Sequence, residues 1–184
     1  MSDDFERGEP ARLSPTVSAQ DHVQGLSTAR VTLVEYGDFE CPACGEAYSV
    51  VKEIQRAAGD QVRFVFRNFP LVQAHRFAEH AAAAAEAAGA HGKFWQMHDL
   101  LFENQDALED GELAQYAVAL GLNGRSLVQT VRQGCFAGRI RQDFLSGFRS
   151  GVNQTPAFFI NDIRYDGNFG FESMIAALRI VQRI

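Results

Sequence analysis

The stretch VTLVEYGDFECPACGEAYSVVKEIQRAAGD, residues 31 to 60, restricts the fold more than any other part of the chain. Val31 to Tyr36 is a β-branched run that stops at Gly37, the pattern of a buried strand rather than a helix. Its apolar density requires cover on both faces of a sheet. Beyond Cys41-Pro42-Ala43-Cys44, the residues Tyr48, Val51 and Ile54, with Ala47 and Ala58, recur at helical spacing until Gly59. Gln61 to Phe66 then alternates apolar and polar residues as a second strand, and its distance from the first fits a parallel βαβ unit. A short loop ending in two cysteines therefore joins a strand to a helix.

The pattern changes after residue 74. Between His75 and about Ser150 no strand is visible, and glycines punctuate four helical patterns. Ala81 to Ala88 reads as a closely packed helix, because alanine is the best helix former. Phe94, Met97 and Leu101, with Trp95 and Phe102, form a wide apolar face, and Leu113, Ala117 and Leu120 do the same behind Asp110 as N-cap. Phe136, Ile140, Phe144 and Phe148 stand four apart on the last helix. Ala157 to Asn161 and Ile163 to Tyr165 flank a polar turn as in a hairpin, and Phe171 to Ile184 reads as a terminal helix. The order is βαβ, helices, ββα, an α/β class. Residues 1 to 20, rich in Ser, Pro, Asp and Glu without apolar periodicity, read as a flexible or loosely docked arm.

At 184 residues and 46% hydrophobic, the chain buries a core large enough to need no covalent staples. A net charge of -6 argues against nucleic-acid binding and against anionic lipid surfaces. No run approaches the ~18 apolar residues of a membrane span. The first 25 residues carry acids and prolines where a secretory signal has a basic start and an apolar run, so a cytoplasmic location is expected, or export if a signal has been removed.

The chemistry lies at the first helix's start. Pro42 suits the first helical turn, where its missing N–H has no partner in any case. Cys41 then sits at the N-cap edge, where free amides and the helix dipole favour thiolate over thiol and lower the pKa from ~8.5 into the range ~3.5–7.5. Cys41 is the candidate nucleophile. Cys44, one turn inward, is the candidate resolving thiol, placed to break a mixed disulfide at Cys41. A zinc site needs four ligands, and no second C-x-x-C or closely spaced His pair accompanies these two, so no metal is expected. Cys135 reads as a buried small apolar group.

Thr155-Pro156 precedes an apolar strand, where a proline belongs at the first position. Taken together, VTLVEYGDFECPAC, HGKFWQMHDLLFE and GVNQTPAFFIN resemble the DsbA-like members of the thioredoxin superfamily, and the likeness extends from about Asp21 to the C-terminus. It implies a thioredoxin fold made of residues 21–74 and 151–184, interrupted by a helical insertion at 75–150. It also implies a cis Thr155-Pro156 peptide beside the cysteines, with Thr155 pairing an extended substrate, and Pro42 and Ala43 facing that substrate. Glu35 occupies the position of a buried acid that relays the Cys44 proton. No cofactor is implied; the partners are protein or peptide thiols and disulfides, with glutathione or another thiol redox protein as further candidates. Ala43 replaces an imidazole of the oxidising relatives, which weakens the expected oxidising bias. Asp38 and Glu40 are expected to oppose thiolate formation if they approach Cys41. Two rival functions fit the same residues: a redox-responsive binding module with little turnover, and a glutathione-linked transferase or isomerase.

Overall fold

The structure is a computed structural model that describes residues 10–182. The chain runs β1 (His22–Gln24), β2 (Val31–Gly37), α1 (Pro42–Ala58), a 3-10 turn and β3 (Val62–Asn68). Five helices follow: α2 (Ala78–Gly89), α3 (Phe94–Glu103), α4 (Asp110–Ala119), α5 (Gly124–Arg132) and α6 (Ala137–Arg149). The chain then closes with β4 (Ala157–Ile160), β5 (Ile163–Tyr165) and α7 (Phe171–Gln182). The strands form one sheet in the order β1-β3-β2-β4-β5, in which only β2 and β3 run parallel. This is a thioredoxin fold with helices between its two halves.

Every residue of β2 is buried, as its β-branched run demands. Strand alternation sorts the core into two layers. Val31, Leu33, Phe64 and Phe66 share a cluster with Ala47, Val51 and Ile54 of α1 and Met174, Ile175 and Leu178 of α7. Val34, Tyr36, Val65 and Phe159 turn to the other side, toward Leu13, Val152 and Phe144 of α6. Glu35, in step with Val31 and Leu33, therefore points under α1. The β4–β5 turn holds Asn161 and Asp162 at φ 45° and 68°, the left-handed pair of a tight hairpin that Asn and Asp tolerate best.

Several local expectations change. Residues 10–20 take the docked alternative: Leu13 is buried and its N–H donates to Asp162 O at 2.8 Å, while Arg67 Nη1 donates to Pro15 O at 3.0 Å. The remainder of that expectation, residues 1–9, lies outside the described residues. A fifth helix, α5, stands where the sequence shows no apolar stripe, since only Leu127 and Val131 among its side chains are buried apolar groups. Asp110 is the first residue of α4 rather than its cap, and its carboxylate is held by His80 and Arg132 instead. Cys135 is exposed, carried outward by a turn in which Gly134 has φ 64°.

Candidate active site

Cys41 is the N-cap residue of α1, in an extended conformation with φ −75° and ψ 121°. Its carbonyl accepts the first helical N–H groups, from Cys44 at 3.0 Å and Gly45 at 3.1 Å. Because β4 runs antiparallel to β2 with Ala157 opposite Tyr36, residues 155 and 156 arrive just past the end of β2, beside the cysteine loop. The Thr155–Pro156 peptide is cis, and Cys41 Sγ lies 3.5 Å from Thr155 O. Cys44 sits one turn behind, where its sulfur accepts a hydrogen bond from Asp38 N at 3.5 Å. Cys41 retains 8% of its surface and Cys44 none, and both thiols are free. Pro42 is exposed and Ala43 half-buried above them.

The electrostatics separate the two sulfurs. The Cys44 thiol donates to Cys41 and, against the cost of burial, holds its pKa down to about 5; Thr155 and the amides of Cys44 and Ala43 add to the effect. Thr155 Oγ1 is buried and has no hydrogen-bond partner. Cys44 moves the opposite way, raised well above an ordinary thiol by burial, by its bond to Cys41 and by the nearby Glu35. Glu35 is itself pushed up to about 8, chiefly by burial and then by the Cys41 charge. Its Oε1 has no hydrogen-bond partner.

Asp38 and Glu40 do not stand as free charges against Cys41. Asp38 Oδ2 accepts from Leu71 N and is 2.8 Å from His75 Nδ1, while Oδ1 accepts from Glu40 N. Glu40 Oε2 turns to Phe77 N at 2.5 Å. Although burial disfavours the His75 cation, the hydrogen bond and charge of Asp38 outweigh it and raise the imidazole pKa, with the Cys41 thiolate adding to the shift. An imidazole absent from the Pro42-Ala43 pair thus reaches the site from the segment after β3. No sequence motif marks His75 as part of the site, nor Gln105, whose Nε2 donates to Phe39 O at 2.8 Å and Cys41 O at 2.9 Å. Among the described residues, no three His, Cys, Asp or Glu side chains converge so as to hold a metal ion.

Comparison with known proteins fits this geometry. A sequence profile described as thioredoxin matches residues 17–179. The structure of BdbD from Bacillus subtilis superimposes with a TM-score of 0.85 at 24% identity, covering 96% of this chain and 100% of that one. A thioredoxin-like oxidoreductase from Silicibacter pomeroyi gives 0.79 at 25% identity over 91% and 95% of the two chains. Wolbachia pipientis alpha-DsbA1 also gives 0.79, at 17% identity over 91% and 93%. The chain belongs to the thioredoxin family, and its fold is DsbA-like. Its C-x-x-C pair stands at the start of α1 in that fold, with both thiols free.

Its curated relatives have another setting. The Na(+)/H(+) antiporter NhaA 3 of Salinispora tropica is 43% identical over 164 residues, which are 89% of this chain and 25% of that protein. NhaA 1 of Mycolicibacterium vanbaalenii is 40% identical over 173 residues, 93% of this chain and 28% of that protein. The chain spans about a quarter of the length of these relatives. Among the described residues, no helix is long and apolar enough to cross a membrane.

Proposed function

We propose that the protein oxidises dithiols in extended polypeptide segments. The observation that carries this reading is the seat of Cys41: its sulfur faces Thr155 O at 3.5 Å, with Cys44 wholly covered behind it. In the oxidised form a substrate thiolate attacks the Cys41 sulfur, the Cys41–Cys44 bond breaks, and Cys44 leaves as a thiolate. Glu35, neutral below about pH 8, supplies the proton for that leaving group. The second substrate thiolate then attacks the substrate sulfur of the mixed disulfide and expels Cys41 as a thiolate, so two electrons pass from substrate to enzyme. Thr155 and Pro156 align the substrate as an added strand, and Pro42 and Ala43 face it. Residues 21–74 and 151–184 act as the redox unit, and the helical insertion at 75–150 frames its sulfurs.

The thiolate supports this direction. At pH 7, a Cys41 pKa of about 5 stabilises the reduced pair by about 2 kcal/mol more than the ~7 of thioredoxin does. Relative to thioredoxin at ~−270 mV, that difference places the couple near −220 mV. A glutathione-buffered cytosol at about −280 mV would hold such a pair reduced, so the oxidase reading places the protein in an oxidising compartment, against the cytoplasmic expectation. Equilibration with glutathione buffers tests both points. A potential between about −200 and −240 mV supports the oxidase reading, whereas a value at or below that of thioredoxin reverses the direction and favours a cytoplasmic reductase.

One observation favours a second reading. Because the curated relatives carry the name of Na(+)/H(+) antiporters, the domain fits a redox-responsive module acting on an attached or neighbouring protein. That reading expects slow turnover on peptide dithiols and a partner affinity that differs between the oxidised and reduced forms.

A further inference from the structure

Gln105 lies in the turn between α3 and α4, far in sequence from the cysteines. Its Nε2 nevertheless donates to two carbonyls of the cysteine loop, Phe39 O at 2.8 Å and Cys41 O at 2.9 Å. Both hydrogens of one amide are committed to the backbone that presents the nucleophile. The second observation is Gly45. It lies inside α1 without a positive φ, so no turn requires glycine there. Space requires it instead: an added Cβ would overlap Gln105 Oε1 and stand 2.8 Å from its Cδ. The glycine is the seat for the glutamine side chain.

From these contacts we propose that Gln105 is a positioning residue through which the helical insertion sets the thiolate stability of Cys41. The proposal rests on Cys41 as the nucleophile. Cys41 O is the first acceptor of α1, bonded by Cys44 N and Gly45 N, and Gln105 holds the same oxygen from outside the helix. The amides of Ala43 and Cys44 that stabilise the Cys41 sulfur belong to this first turn. Their aim depends on the carbonyl that anchors it, and a displaced donor stabilises a developing thiolate less well. Gln105 touches neither sulfur nor substrate; it acts through the loop.

The test uses Gln105→Ala, Gln105→Glu, Gly45→Ala and the double variant Gln105→Ala/Gly45→Ala in the full chain. Each is measured by the pH midpoint of ultraviolet thiolate absorbance, the equilibrium with glutathione and urea stability. Gln105→Ala is expected to raise the thiolate midpoint and to shift the glutathione equilibrium by about threefold to tenfold toward the disulfide form. Gln105→Glu keeps the length but presents acceptors to two carbonyls, so its shift is at least as large. Gly45→Ala displaces the flexible glutamine without removing it and should reproduce the shift. In the double variant the two effects do not add, because the Cβ then occupies vacated space. Lost stability with an unchanged midpoint and equilibrium in Gln105→Ala, or additive shifts in the double variant, overturns the proposal. Neither result touches the oxidoreductase reading, which falls separately if Cys41→Ser retains full exchange.

Discussion

Two buried glutamates differ in how their carboxylates are partnered. Glu86 on α2 is 5% exposed and fully partnered: Asn68 Nδ2 donates to Oε1 at 2.7 Å, and His22 Nε2 lies 3.0 Å from Oε2. The network continues through Asn68 N to Asp143 Oδ2 and from there to Arg139, joining β1 and β3 to α2 and α6. Glu35 on β2 is 2% exposed, yet its Oε1 has no partner and its pKa is pushed up to about 8. A carboxylate whose oxygens are all bonded holds elements together. One left short of partners under a pair of sulfurs keeps its proton to a higher pH.

The sharpest break between the two regions comes from the sulfurs. Cys41→Ser should reduce dithiol oxidation by at least about a thousandfold while leaving the Glu86 network and urea stability intact. Cys44→Ser should instead accumulate a mixed disulfide at Cys41, detectable by mass. Glu86→Ala inverts that pattern. Leaving Asn68 and His22 without their buried acceptor should cost about 3–5 kcal/mol in urea unfolding, with the glutathione equilibrium moved less than about twofold.

Glu35→Gln is smaller and of opposite sign in stability. Between pH 4.5 and about 8, native Glu35 keeps a proton that the unfolded chain releases, so stability falls as pH rises through that window. The glutamine variant removes this slope and should be more stable at pH 8 by on the order of 3 kcal/mol, while exchange slows about tenfold for want of the proton. His75→Ala is expected to have the least effect. The His75 cation persists at low pH and is lost as pH rises through its raised pKa, so the variant should lower Cys41 reactivity by about threefold near pH 6 and leave it unchanged in alkaline solution.

The comparison also shows what the sequence could carry. The β-branched run at Val31 and the helical spacing of Val51 and Ile54 report burial directly, so β2 and α1 are readable from local pattern. β1 has only three residues and takes its structure from pairing with β3, which no local pattern encodes. In α5 the signal was an N-cap rather than a stripe, since Asn123 Oδ1 accepts from Ser126 N at 2.9 Å. Cys41 and Cys44 are adjacent in sequence and in space. Thr155 lies 114 residues from Cys41, and only the family resemblance connects them in the sequence. His75 and Gln105 reach the loop through tertiary contacts with no fixed spacing. The clue to Gln105 was Gly45, a glycine inside a helix with no turn to make.

In the reduced protein one sulfur is an accessible thiolate and the other a covered thiol. Alkylation of the reduced protein across pH, with each cysteine-bearing peptide followed by mass spectrometry, tests it directly and uses exposed Cys135 as an internal reference. Cys41 should be modified with a midpoint near pH 5, and Cys44 only when the protein is unfolded. Equal labelling of Cys41 and Cys44 in the folded protein, or a Cys41 midpoint near that of an ordinary thiol at ~8.5, would contradict it.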